Sequence, residues 1–126
     1  MTDTLTFTVQ GHPVPLPRSR SAAGKRPYIP HDHPVRAWQT FVKVACLQEV
    51  VRREMPTPCY LGDVRMTCIF YGARKNADID NLFKAVADAL NGTAYADDSQ
   101  IHWLTIERQQ ATEGNPEGAW IQIRKL

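Results

Sequence analysis

A chain of 126 residues with 43% hydrophobic and 22% charged side chains has room for one compact domain with a modest core. Its apolar runs are far shorter than the ~20 residues of a membrane span, and no basic start followed by an apolar block marks a signal peptide, so a cytosolic protein without a membrane partner is expected. The net charge of +2 excludes little, and the cysteines, Cys46, Cys59 and Cys68, are odd in number and lack CxxC or Cys/His ligand spacing, so reduced structural thiols are expected rather than disulfides or a zinc site.

A first strand is expected at residues 5–11, LTFTVQG, where Leu5, Phe7 and Val9 alternate with polar residues as far as Gly11. Residues 12–34 then contain six prolines. Proline lacks a backbone donor and restricts the residue before it, so this segment reads as a surface loop. The loop is basic: residues 11–36 carry Arg18, Arg20, Lys25, Arg26 and Arg36 against one acid, Asp32, with His12, His31 and His33 among them. Such an arm is either a solvated loop or a holder of a polyanion.

Pro34 suits the first position of a helix, with Asp32 close enough to favour its start. That helix is expected to run to about Arg53 on an imperfect apolar stripe of Val35, Trp38, Val42, Ala45 and Cys46, and to stop at MPTP, residues 55–58. Residues 63–72, DVRMTCIFYG, alternate cleanly, with Val64, Met66, Cys68 and Phe70 on one side of a strand closed by Gly72. A second helix begins near Asp80, presents Leu82, Phe83, Val86, Ala89 and Leu90 to the core, and ends at Asn91-Gly92. Two more strands, IHWLTIERQ at 101–109 and AWIQIRK at 119–125, flank a turn at 113–118. The order β-α-β-α-β-β predicts an α/β (α+β) fold, a small mixed sheet with two main helices packed on it and the last two strands paired as a hairpin.

Five of the thirteen acids fall in residues 78–98: Asp78, Asp80, Asp88, Asp97 and Asp98. In an extended segment residues i and i+2 point the same way, so Asp78 and Asp80 can present both carboxylates to one point. Asp80 also stands where it can cap Leu82 or Phe83. The i, i+4, i+8 spacing of Asp80, Lys84 and Asp88 places them on one helix face, away from the apolar one. Asp97 and Asp98 are neighbours and face opposite ways if extended, so parity leaves open which of them joins the cluster.

Two carboxylates about 4 Å apart repel by about 4 kcal/mol at an effective dielectric near 20. Lys84 offsets part of that repulsion. A divalent cation would offset more, and hard oxygen donors suit Mg²⁺ or Mn²⁺. Plainer readings stand beside this one: acids favoured at a helix N-terminus, surface ion pairs, and a turn before a strand. A calcium loop of the EF-hand type is excluded, because its sixth position requires glycine and is Phe83 here, and its twelfth requires an acid and is Ala89.

Residues 78–101, DIDNLFKAVADALNGTAYADDSQI, resemble the signature of the RusA-type Holliday junction resolvases, D-x-D-N-x-x-K-x-x-x-D-A-L followed by a short glycine-containing loop and D-D-x-Q-[IV]. A weaker resemblance lies in GHPVPLPRSR and GKRPYIP, similar to that family's opening, with Leu16 where lysine is frequent and Ser19 where proline is frequent. The resemblance implies one RusA-like endonuclease domain over residues 1–126, acting as a Mg²⁺-dependent homodimer that cuts four-way, branched DNA. It implies that Asp78, Asp80 and Asp98 converge as metal-binding acids and that Lys84 is the catalytic lysine. Asn81 and Asp97 are supporting residues, as is Asp88, which would hold Lys84. Arg18, Arg20, Lys25 and Arg26 would contact DNA backbones. Two other functions fit the same acids: a metal-dependent phosphatase or nucleotide hydrolase, and a junction-binding protein without catalysis.

Overall fold

The computed structural model describes residues 3–17 and 28–126, so Arg18, Arg20, Lys25 and Arg26 lie outside the described residues. The elements are strand β1 (Thr4–Gln10), helix α1 (Pro34–Arg52), strand β2 (Val64–Tyr71), helix α2 (Ile79–Ala89), a 3-10 turn (Asp98–Gln100), strand β3 (Ile101–Gln109) and strand β4 (Gly118–Lys125). Each expected helix and strand is therefore present, in the expected order.

The four strands form one mixed sheet in the order β1-β4-β2-β3. β4 runs antiparallel to both β1 and β2, while β3 runs parallel to β2. The last two strands thus do not form the expected hairpin, because β2 lies between them. The reason is in the connections and the side chains. β2 and β3 are joined through α2, and a helix-length crossover is what brings two strands side by side in parallel. β4 carries Ile121 and Ile123, both fully buried, and such a strand belongs in the interior of a sheet. β3 exposes Trp103 and Leu104 and takes the edge. Arg65 of β2 stacks over the Trp103 ring, 4.3 Å from its centroid, on the sheet face that the helices leave open.

Three rows of paired residues cross the sheet: Leu5–Ile123–Met66, Phe7–Ile121–Cys68 and Val9–Ala119–Phe70. All nine are buried, and the apolar stripes of both helices join the same cluster. α1 contributes Val35, Trp38, Val42, Cys46 and Val50, and α2 contributes Leu82, Ala85 and Val86. Each large side chain so buried contributes about 1.5–3 kcal/mol. Cys46, Cys59 and Cys68 are free thiols, and burial pushes the Cys46 thiol up to about 12. Among the described residues no helix is long and apolar enough to cross a membrane.

The cap of α1 is His33, one residue after Asp32: the His33 Nδ1 accepts the Val35 N–H at 3.1 Å. Inside α1, the gap in the apolar stripe is filled by Gln39. This buried amide donates to the Ala85 carbonyl at 3.1 Å and to the Asp88 carboxylate at 3.2 Å, tying α1 to α2.

Gly118 opens β4 opposite Gln10, where the β1 backbone leaves no room for a side chain. A Cβ placed there would lie 2.0 Å from the Val9 carbonyl oxygen, at a φ of +153°. Gly118→Ala is expected to lower stability by about 2–4 kcal/mol in urea unfolding, while Gly114→Ala, in open space, stays within about 0.5 kcal/mol of wild type. Equal midpoints for the two variants would contradict this account of the β1–β4 contact.

Candidate active site

Helix α2 starts one residue earlier than its acids alone indicated, and this decides their roles. Asp78 is the N-cap, with extended backbone at φ −68° and ψ 123°. Its Oδ1 accepts the Asp80 N–H at 2.9 Å. Asp80 is therefore the residue capped, not the cap for Leu82 or Phe83. It sits in the first turn, where the helix dipole favours a negative charge. Its Oδ2 lies 3.2 Å from the Lys84 ammonium, one turn on. Both side chains are more than half exposed, so this pair contributes little to stability, and its ammonium is accessible.

Asp88 lies one turn beyond Lys84 and has a different partner. Gln39 of α1 donates to it, so Asp88 is held by α1 rather than holding Lys84. The Asn81 carbonyl accepts the Leu16 N–H at 2.8 Å. Leu16 stands between Pro15 and Pro17 and so supplies the only backbone donor of those three residues. This bond lays the proline-rich segment across the first turn of α2, two residues before Arg18.

Asp97 and Asp98 differ in their local bonds. Asp97 Oδ2 accepts the Ser99 N–H at 3.0 Å, and Gln100 Oε1 accepts the Asp97 N–H at 3.0 Å, a reciprocal box around the 3-10 turn. The bond from Ser99 holds the Asp97 carboxyl below its ordinary range. Gln100 also donates to the Tyr60 and Gly62 carbonyls, which fixes the turn to the segment before β2. Asp97 is thus engaged in building the turn, and Asp98 is the acid it presents.

Asp98 borders a hollow of about 440 Å³ between α2 and β3. Lys84, Asp88, Asp98 and His102 are its polar walls, and Leu16, Phe83, Ala87, Ile101 and Leu104 its apolar ones. Tyr95 lies behind it, donating its hydroxyl to the Ala87 carbonyl at 2.7 Å. Burial first, then the negative charges of Asp98 and Asp88, push the Tyr95 hydroxyl well above its ordinary range, so it stays neutral. His102 pairs with Asp63 at 3.2 Å at the outer rim. A larger hollow of about 790 Å³ lies under residues 53–62 and Lys125, with Glu54 as its one acid among the described residues.

Among the described residues no three His, Cys, Asp or Glu side chains stand close enough together to hold a metal ion. The expected convergence of Asp78, Asp80 and Asp98 is therefore not seen in this arrangement of one protomer. The geometry of α2 explains why. Asp78 and Asp80 are at its first turn, while Asp98 shares its hollow with Lys84 and Asp88, further along an axis that rises about 1.5 Å per residue. In chemistry the donors suit a hard dication: all are carboxylate oxygens, and Asp78, Asp80 and Asp98 are exposed. Gln39 was not anticipated as a partner of these acids. Its signal was a polar residue interrupting the stripe of α1, four residues after Val35 and three before Val42.

The family model described as Endodeoxyribonuclease RusA matches residues 10–124, a span that leaves out β1 before Gln10 and Lys125 at the end of β4 but takes in every residue of the candidate site. No curated protein matches the chain.

Because Asp78 caps α2, Asp78→Ala is expected to lower stability by about 1 kcal/mol, whereas Asp78→Ser, which keeps a capping oxygen, stays near wild type. Denaturant midpoints measure both. Identical midpoints for wild type and Asp78→Ala would remove the capping role.

Proposed function

The chain belongs to the RusA endodeoxyribonuclease family, a family of Holliday junction resolvases, and from that premise we propose that it hydrolyses phosphodiesters at four-way DNA junctions with Mg²⁺ as its cofactor. The observation that carries this reading is the polar face of α2. There the Asp80–Lys84 pair stands beside the hollow bordered by Asp98, inside the matched span. Recombination and repair in the cytoplasm of a bacterial or phage-infected cell is the setting that such a substrate implies.

Asp78, Asp80 and Asp98 would hold the cation, with Mn²⁺ as an alternative to Mg²⁺. When bound, such a dication lowers the pKa of a water and stabilises charge on the phosphoryl oxygens. Lys84, on the border of the hollow, presents its ammonium to the same oxygens and stabilises the charge that develops on them. Asp97 keeps the 3-10 turn closed so that Asp98 faces the substrate. Asp88, held by Gln39, keeps α2 seated against α1. The bond from Leu16 to Asn81 leads the chain from the site into the arm. Arg18, Arg20, Lys25 and Arg26 then bind DNA phosphates, which supplies affinity and position but little sequence information. Two paired incisions at symmetry-related strands require two sites, which a two-fold homodimer provides.

The test incubates the protein with a labelled four-way junction, a linear duplex and a nucleotide, with and without Mg²⁺. Symmetrical nicks in the junction alone, and only with metal, are expected. Hydrolysis of the nucleotide would make the protein a phosphatase, and binding in EDTA with no cleavage in Mg²⁺ would make it a junction-binding protein. Asp80→Asn is expected to slow cleavage by about 100-fold or more while junction binding is kept or tightened, since a repelling charge is removed. Lys84→Ala is expected to slow cleavage comparably, and near-normal turnover would remove it from the mechanism. The logarithm of affinity should fall with the logarithm of salt concentration at about −0.9 per neutralised phosphate. That slope should shrink when Arg18 and Arg20 are replaced by alanine, and an unchanged slope would show that the arm does not touch DNA.

A further inference from the structure

The segment that delivers Asp78 to the start of α2 is held by a side chain that belongs to no part of the acidic motif. Arg108 stands near the end of β3, opposite Phe70 of β2. Phe70 is buried on the helix-covered face, so Arg108 points to that face as well. Its Nη1 donates to the Ala77 carbonyl at 2.6 Å, the Arg74 carbonyl at 3.2 Å and the Lys75 carbonyl at 3.3 Å. The Ala77 N–H itself donates to the Arg74 carbonyl at 2.9 Å. Residues 74–77 therefore make one turn in which the Arg74, Lys75 and Ala77 carbonyls converge on a guanidinium.

Three carbonyl dipoles aimed at one point repel each other unless a cation sits among them. A guanidinium suits this place because it is always charged, and its Nη1 alone faces all three carbonyls. Bonds from a charged donor are shorter and stronger than neutral ones, and the 2.6 Å contact to buried Ala77 fits that class. Ala77 is the residue immediately before the cap Asp78, whose own carboxylate fixes the Asp80 N–H. The side chains of Arg74, Lys75 and Asn76 are exposed, so packing alone does not order this turn. β3 also begins directly behind the 3-10 turn that carries Asp98. One strand thus bears Asp98 at its head and, near its tail, grips the loop that carries Asp78 and Asp80.

We propose that Arg108 is a positioning residue for this site: by clamping the carbonyls of Arg74, Lys75 and Ala77 it sets the direction in which Asp78 and Asp80 enter α2, and so their placement relative to Asp98. The kinetic part of this inference rests on the nuclease function proposed above, while the structural part does not.

The test compares Arg108→Ala, Arg108→Lys and, as a control for lost charge, Arg124→Ala on the exposed end of β4. Two quantities are read on each full-length protein: hydrogen exchange of the Asp80 amide, and cleavage of the four-way junction in Mg²⁺ at saturating enzyme, with junction affinity measured separately in EDTA. Arg108→Ala is expected to speed exchange of the Asp80 amide by about tenfold or more. It should slow cleavage by about 10–100-fold with junction affinity unchanged. Arg108→Lys, which keeps the positive charge on a shorter side chain, should recover part of both losses, and Arg124→Ala should change neither. Unchanged Asp80 exchange in Arg108→Ala overturns the inference. So does a loss of cleavage matched by an equal loss of affinity, which would make Arg108 a DNA contact. If Arg108→Ala does not fold, the same two readouts on Arg108→Lys decide. If the wild type cuts no junction, the proposed function fails, and the exchange data still show whether the clamp exists.

Discussion

The burial of one helix stripe orders everything else at this site. α2 has only three turns, and it seats Leu82, Ala85 and Val86 in the common core. Once that stripe is inside, the period of the helix leaves no freedom for the remaining positions. Asp80, Lys84 and Asp88 must form an outward line, and the hollow beside β3 must be bordered by Lys84 and Asp88. The position of β3 follows from the same helix. A strand, a crossover helix and a parallel strand place the second strand beside the first, which brings Asp98 to the edge of the sheet next to α2.

The strands were readable because each buries one side only. Alternation at Leu5, Phe7 and Val9, or at Val64, Met66, Cys68 and Phe70, marks a strand with one buried face, and the residues fell inside as expected. Pairing was not readable in the same way. A β3–β4 hairpin looked natural from the short turn between them, but alternation says which face a strand buries, not which neighbour it takes. The full burial of Ile121 and Ile123 against the exposure of Trp103 was the difference that put β4 inside the sheet and β3 at its edge.

The acids show a similar division. Their residue types and spacing marked α2 and the turn before β3 as one functional region, and the family match covers both. What spacing does not carry is the set of local bonds each acid makes first. Asp78 is committed to capping, Asp97 to the capping box, Asp88 to Gln39 and Asp80 to Lys84. The Asp80–Lys84 pair follows from helical spacing, but the other bonds depend on a backbone amide or on a residue distant in sequence. The consequence is electrostatic. Carboxylates that would repel at one point are instead spread along α2 and across the hollow, with Asp78, Asp80, Asp88 and Asp97 each eased by a donor. Drawing three of them together requires positive charge in excess of what Lys84 supplies.

The central claim is that the first turn of α2 and the turn before β3 act as two walls of a single cation site. Paramagnetic broadening by Mn²⁺, followed on the backbone amide signals of the wild-type protein, tests it without any need for activity. The account requires the amides of residues 78–84 and 98–101 to broaden together at the same Mn²⁺ concentration, and both sets to stay sharp in Asp98→Asn at that concentration. Broadening confined to the start of α2, indifferent to the loss of the Asp98 carboxylate, would contradict it.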